Sequence, residues 1–310
     1  MRPRQSAPSS PTTIPALAVA VLAISGSGPM IAYAAAPALA IAFWRNAMAT
    51  GALAPVALLR RRGELVALVA GPARREGLFC LLAGVALAGH FATWVPSTKL
   101  TTVAAATALG ATQPVWQGLI AIGQGRRLPR LTWWGIGVAV AGAMVATGAD
   151  VGVSGRAVFG DVLAITGGLA AAVYTALGER ARVTTSTTAY TAVCYAVCAL
   201  LLLAICLIWR VPLAGFPATA WLALVALTLG PQLLGHSLFS FALRRVSATT
   251  ISVLILLEVP GATVIAWLWL GQAPRGAAWL GLAMLVAGVA IVVLAADRSL
   301  TRDLGANVPP

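Results

Sequence analysis

An arginine and a glutamate stand deep inside two long apolar runs, where charge is costly. Arg45 follows Phe43-Trp44 about three residues from the middle of its run, and Glu258 follows Leu256-Leu257 just ahead of Val259-Pro260. A charge at the centre of a bilayer costs about 2.5–3.5 kcal/mol on insertion scales, so each needs a partner or a polar cavity. Arg45 can hold a carboxylate-bearing or otherwise polar substrate, or it can tether backbone carbonyls at helix ends. Glu258 can carry a coupling proton or contact a polar substrate. Its alternative is a protonated acid hydrogen-bonded to a neighbouring helix. His90 and His236 each follow a glycine and are candidates for the same polar cavity, or for interhelical hydrogen bonds. Trp94, Trp116 and Tyr174, with Gln113, can stack on or hydrogen-bond a planar ligand, although aromatic residues near helix ends also serve as interface anchors. Pro114 and Pro260 each interrupt a backbone hydrogen bond in an apolar run and are candidate hinges.

The elements that must position these groups are membrane helices. Of 310 residues, 60% are hydrophobic and only 9% charged, against roughly 25% charged in soluble domains. Runs of about twenty apolar residues are what a helix needs to cross a hydrocarbon layer about 30 Å thick. The spacing predicts an all-α chain with helices near 14–34, 37–59, 77–97, 100–123, 131–148, 160–178, 188–209, 218–242, 247–271 and 277–295. The net charge of +13 would suggest nucleic acid in a soluble chain, but the basic residues fall in short gaps and read as topology signals. Alternate gaps hold sixteen arginines against Lys99, Arg156, Arg210 and Arg275 in the others, which places both termini inside. The first run is read as a retained helix, because no small-residue cleavage site follows it. Cys80, Cys194, Cys198 and Cys206 lie in apolar runs without metal-ligand spacing, so neither a disulfide framework nor a metal or other cofactor is expected.

The chain also repeats itself. Val21-Leu22-Ala23-Ile24-Ser25-Gly26 matches Val162-Leu163-Ala164-Ile165-Thr166-Gly167, and Gly89-His90, Pro114, Trp133, Gly135 and Ala141-Gly142 match Gly235-His236, Pro260, Trp279, Gly281 and Ala287-Gly288. Two halves follow, 1–150 and 151–310. Five helices per half is an odd number, so the second copy enters from the opposite face, an arrangement common in secondary transporters. On that argument His90 and His236 are expected toward opposite faces. Gly152-Val153-Ser154-Gly155 matches the short Gly-x-Ser-Gly pattern of intramembrane serine proteases, but it falls in an expected loop with no histidine to activate the serine. An intramembrane enzyme and a non-transporting receptor or assembly protein are the rival readings.

Gly89-His90-Phe91-Ala92-Thr93-Trp94, Ser97 to Ala104, Gln113-Pro114-Val115-Trp116 and Leu256 to Gly261 resemble the EamA-type family of the drug/metabolite transporter superfamily, over essentially the whole chain. The resemblance implies a ten-helix, inverted-repeat secondary transporter. It would move amino acids, nucleosides, sugars or drugs across a bacterial inner membrane by alternating access through a central cavity. The partners it implies are a small-molecule substrate and the lipid bilayer, with a second copy of the chain as the candidate protein partner and no nucleic acid. Where the family usually carries a glutamate at the ends of the fourth and ninth helices, this chain has Gln124 and Gln272.

Overall fold

The computed structural model describes residues 12–101, 103–147, 154–270 and 276–305, and these are helical with short connections. The helices are α1 (Thr13–Ser25), α2 (Ser27–Tyr33), α3 (Ala38–Arg60), α4 (Arg62–Ala70), α5 (Arg74–Leu100), α6 (Val103–Gly110), α7 (Gln113–Gly123), α8 (Arg130–Thr147) and α9 (Gly155–Ala181). There follow α10 (Thr187–Ile208), α11 (Ala218–Leu227), a π-helical segment (Thr228–His236), α12 (Ser237–Ala242), α13 (Ala248–Ile255), α14 (Glu258–Leu270) and α15 (Ala277–Gly305). Several starts are written in the sequence as capping serines. Ser154, Ser186 and Ser247 accept from the amides of Ala157, Ala189 and Thr250, satisfying N–H groups that the first turn leaves free. The serine of the protease-like tetrapeptide is therefore a helix cap; Gly152 and Val153 lie outside the described residues.

Among the described residues, seven helical stretches are long and apolar enough to cross a membrane. The three other expected spans differ for identifiable reasons. α3 carries Arg45 and Asn46 in its interior, α8 supplies only a shorter apolar stretch, Arg130–Ala146, and the run near 100–123 is broken into α6 and α7. Large apolar side chains such as Leu22, Leu59 and Leu268 point outward, 71%, 85% and 79% exposed, as suits a lipid-facing surface rather than a watery one.

Small residues set the closest approaches. α8 and α15 run antiparallel with glycine on glycine: a Cβ built on Gly142 would stand 2.7 Å from the Gly281 carbonyl oxygen, and one on Gly288 would stand 2.6 Å from that of Gly135. α5 and α9 pack similarly, with Gly160 against Leu100 and Thr101, and Gly167 against Trp94. Such contacts let backbones come within van der Waals range where apolar burial gives little drive, because lipid is as apolar as the core.

Polar connections gather at one end of the bundle. Glu64 accepts from the Ser186 amide, Arg126 pairs with Glu179, Glu179 accepts from the Ala248 amide, and Arg182 donates to the Ser240 carbonyl. Arg182 also donates to the Thr185 carbonyl and to the Thr187 hydroxyl, closing the α9–α10 turn. Burial, and then the neighbouring Arg244, lower Arg182 to about 10, which leaves it charged at neutral pH. At the other end Trp44 donates its indole N–H to the Leu213 carbonyl at 2.7 Å, and Tyr33 meets Trp269.

The prolines act differently from the mid-helix interruption expected of them. Both helices are already broken upstream, at Ala111–Thr112 and at Leu256–Leu257, and Pro114 and Pro260 fall in the first turns of α7 and α14. There the missing N–H would have had no intrahelical partner in any case.

Candidate substrate cavity

The two breaks face each other in the middle of the bundle. Each leaves backbone N–H and C=O groups outside the helical ladder, which at membrane depth is tolerated only against protein or water. Between them lies a cavity of about 60 Å³, room for about four water molecules. Gly110, Ala111 and Gln113 line it from one break, and Ile255, Leu256 and Glu258 from the other. α5 contributes His90, Phe91 and Trp94, α9 contributes Tyr174 and Thr175, and the π segment and α12 contribute His236, Phe239 and Ser240.

Each lining side chain has a local reason for its place. Trp94 is seated between two glycines, since a Cβ on Gly167 or Gly110 would crowd it at 2.8 and 3.0 Å. His90 lies along Trp94, ring centroids 5.9 Å apart, with Nδ1 2.9 Å from the Gly167 carbonyl oxygen. His236 meets Phe91 and Tyr174 edge-on at 5.5 and 6.3 Å. The Tyr174 hydroxyl is 3.1 Å from that of Ser240, and Gln113 donates to the Thr175 hydroxyl at 3.2 Å. Glu258 is the first residue of α14 and stands in the cavity wall. The two histidines, expected toward opposite faces, share this one chamber.

Arg45 stands one layer back. It is wholly buried and does not line the cavity; its guanidinium lies 4.4 Å from the centroid of Phe91, which does. Nε donates to Gln232 Oε1 at 2.8 Å, and Nη1 to the Ser27 hydroxyl at 3.3 Å. Gln232 in turn donates to Asn46, and Asn46 to the Ala42 carbonyl. Nη2 has no hydrogen-bond partner among the described residues. The arginine therefore ties α2, α3 and the π segment together. Such a fork needs planar geometry as well as charge.

Of the residues singled out in the sequence, His90, Trp94, Gln113, Tyr174, His236 and Glu258 meet at the cavity, Arg45 backs it, and Trp116 does not line it. The Trp116 indole donates to Thr112 instead, across the break before α7. Gln272 lies outside the described residues, and Gln124 accepts from Arg126. Sequence reasoning missed Gln232, Ser27, Thr175 and Ser240. Only Gln232 carried a signal, as a lone amide after Gly230-Pro231 in an apolar run.

The lining combines aromatic rings with a carboxylate, an amide and hydroxyls. A model of the EamA-like transporter family matches residues 12–148 and, a second time, residues 158–294. The chain belongs to the EamA-like transporter family. The two EamA-like matches fall on either side of the α8–α9 connection, so each takes in one of the two broken helices. One solved chain, described only as "Crystal structure of protein", superposes with a TM-score of 0.75 at 23% identity, over 94% of this chain and 99% of its own. That likeness concerns the fold. Comparison with curated proteins finds no match.

Proposed function

We propose that this chain is a secondary transporter that moves small metabolites or drugs, amino-acid-like or otherwise small and polar or aromatic, across a bacterial inner membrane. The observation that carries the reading is the cavity enclosed between two facing helix breaks, one from each family match. Ten spans form two five-helix halves, 1–150 and 151–310, inserted in opposite senses. The antiparallel seam of Gly135 and Gly142 against Gly288 and Gly281 supports this, because equivalent helices of inverted halves meet head to tail. The arginine-bearing end faces the cytoplasm with both termini, as the positive-inside bias requires. Near-equivalent halves make inward-open and outward-open states similar in energy, which alternating access needs. Pro114 and Pro260 then serve as hinges, since the turns ahead of them are held largely by i→i−3 bonds in place of the regular helical ladder. The cavity binds and releases its substrate unchanged and needs no cofactor; the partners are that substrate, the bilayer and at most a second copy of the chain.

Glu258 gives the transport cycle its coupling group. A mid-membrane carboxylate is expensive when ionised and cheap when protonated, so its proton occupancy differs between the closed and the water-open chamber. An untargeted metabolite comparison of cells with and without the protein selects the substrate, and liposome flux across an imposed pH gradient then tests coupling. One proton per substrate lets a gradient of about one pH unit sustain about tenfold accumulation. Glu258→Gln is expected to abolish that accumulation and to retain substrate exchange. Equal gradient dependence in the native protein and the variant rejects coupling through Glu258.

A further inference from the structure

Below the cavity, toward the arginine-rich end, the polar lining continues beyond the chamber. Gln113 and Thr175 are hydrogen-bonded to each other at the chamber floor. One turn further along the same face of α7 comes Gln117, 0% exposed, with neither its amide nitrogen nor its oxygen bonded to any protein group among the described residues. A fully buried amide left without partners forfeits the hydrogen bonds it had in water. Among the described residues no protein group satisfies Gln117, which leaves its amide free to take a polar guest.

The line ends at a closure. One turn beyond Thr175 on α9, Glu179 receives Arg126 in a two-pronged contact, Nη1 to Oε1 at 3.1 Å and Nη2 to Oε2 at 2.8 Å. Oε1 also accepts from the Ala248 amide at 3.1 Å, the first residue of α13. Three segments are pinned by this one carboxylate: the α7–α8 connection, the end of α9 and the start of α13. Thr249 and Ser252 of α13 are also buried, 4% and 0% exposed, so α13 adds hydroxyls to the interior beside this closure. The arrangement is one-sided. Under the repeat offsets found in the sequence, the partners of Glu179 and Arg126 are Ala38 and Gln272, which cannot form an ion pair.

We propose that Gln117 is a second polar station, between the cavity and the arginine-rich end, which takes water or the polar part of a passing substrate, and that the Arg126–Glu179 pair is the gate that seals it. This rests on the alternating-access reading above. Opening toward the arginine-rich end requires that pair to part, while among the described residues the other end shows no ion pair of this kind.

The test is a cysteine at the station, Gln117→Cys, treated with a membrane-impermeant maleimide from the arginine-rich side in inverted vesicles. The signal of the same protein without Gln117→Cys, which comes from the four native cysteines, is subtracted. Glu179→Gln removes the charge but keeps an oxygen for the Ala248 amide. Arg126→Gln removes the other partner, whose side chain is 38% exposed, so the fold should tolerate it. Either change is expected to raise the labelling rate about fivefold, the upper range for a partly exposed ion pair. A rate unchanged in both variants, with both folded, overturns the gate, and labelling only from the opposite side overturns the station. Labelling requires no substrate, so a failed flux assay would strike the transport reading alone, and unchanged labelling beside normal flux would strike the gate alone.

Discussion

Gly142→Ala should lower the thermal midpoint of the purified protein by several degrees, and Gly137→Ala on the same helix should not. The added methyl at Gly142 meets the backbone of α15, including the Gly281 carbonyl oxygen at 2.7 Å, whereas a methyl at Gly137 has nothing within 4 Å. Backbone cannot turn aside as a side chain can, so α8 and α15 must separate along their length. Overpacking of this kind costs about 1–3 kcal/mol. The control runs the other way, because alanine in a helix is favoured over glycine by roughly 0.5–1 kcal/mol. Thermal aggregation in one detergent, at matched concentration, measures both. Equal midpoints for the two variants would mean that the glycine seam is not a tight contact in the folded protein.

Arg45→Gln should reduce transport at least about tenfold, although Arg45 stands one layer behind the chamber wall. The shorter amide cannot span from Gln232 to Ser27, so the Gln232 oxygen loses a charged donor. A buried acceptor left in that state costs about 1–3 kcal/mol. The cation behind Phe91 disappears with the same substitution. Arg45→Lys keeps the charge but not the planar fork, and should recover only part of the loss. The measurement is initial uptake rate and substrate affinity in liposomes, normalised to folded protein by gel filtration. Undiminished rate and affinity in Arg45→Gln at normal folded yield would end any role for Arg45 in substrate handling.

Most of the helices could be read from the sequence, because crossing a bilayer demands a length and an apolarity that few other structures need. Their interruptions were harder. Pro114 and Pro260 pointed to disturbed backbone, yet the turns lie just upstream, at Ala111–Thr112 and Leu256–Leu257, in residues whose types do not forbid a helix. Glu258 drew attention through its charge alone, and its place at the first turn of a half-helix became visible only in the fold. Two roles for Arg45 were legible, a substrate contact and a tether to backbone carbonyls; the structure shows a tether, but to the side chains of Gln232 and Ser27, and it seats the guanidinium behind Phe91. Gln232 bonds Arg45 from 187 positions away, and no local pattern encodes a contact at that separation. The arginines of the polar end entered the sequence argument only as a count. That Arg126 and Glu179 meet depends on how α7 and α9 pack, which hydropathy does not specify.

The glycine seam also bears on the order in which the chain is made. Gly142 meets Gly281 and Gly135 meets Gly288, so each partner is synthesised well over a hundred residues after the first. At roughly 5–20 residues per second, α8 waits on the order of ten seconds or more with its small-residue face turned to lipid. Until α15 emerges, the glycines of that face lack the partners they meet in the folded chain, so a foreign helix with a similar face can compete for the place of α15. The final helix thus acts as a clasp on a bundle whose first half has long been inserted. A ribosome stalled ahead of α15 would leave a chain that is threaded through the membrane but not yet fastened.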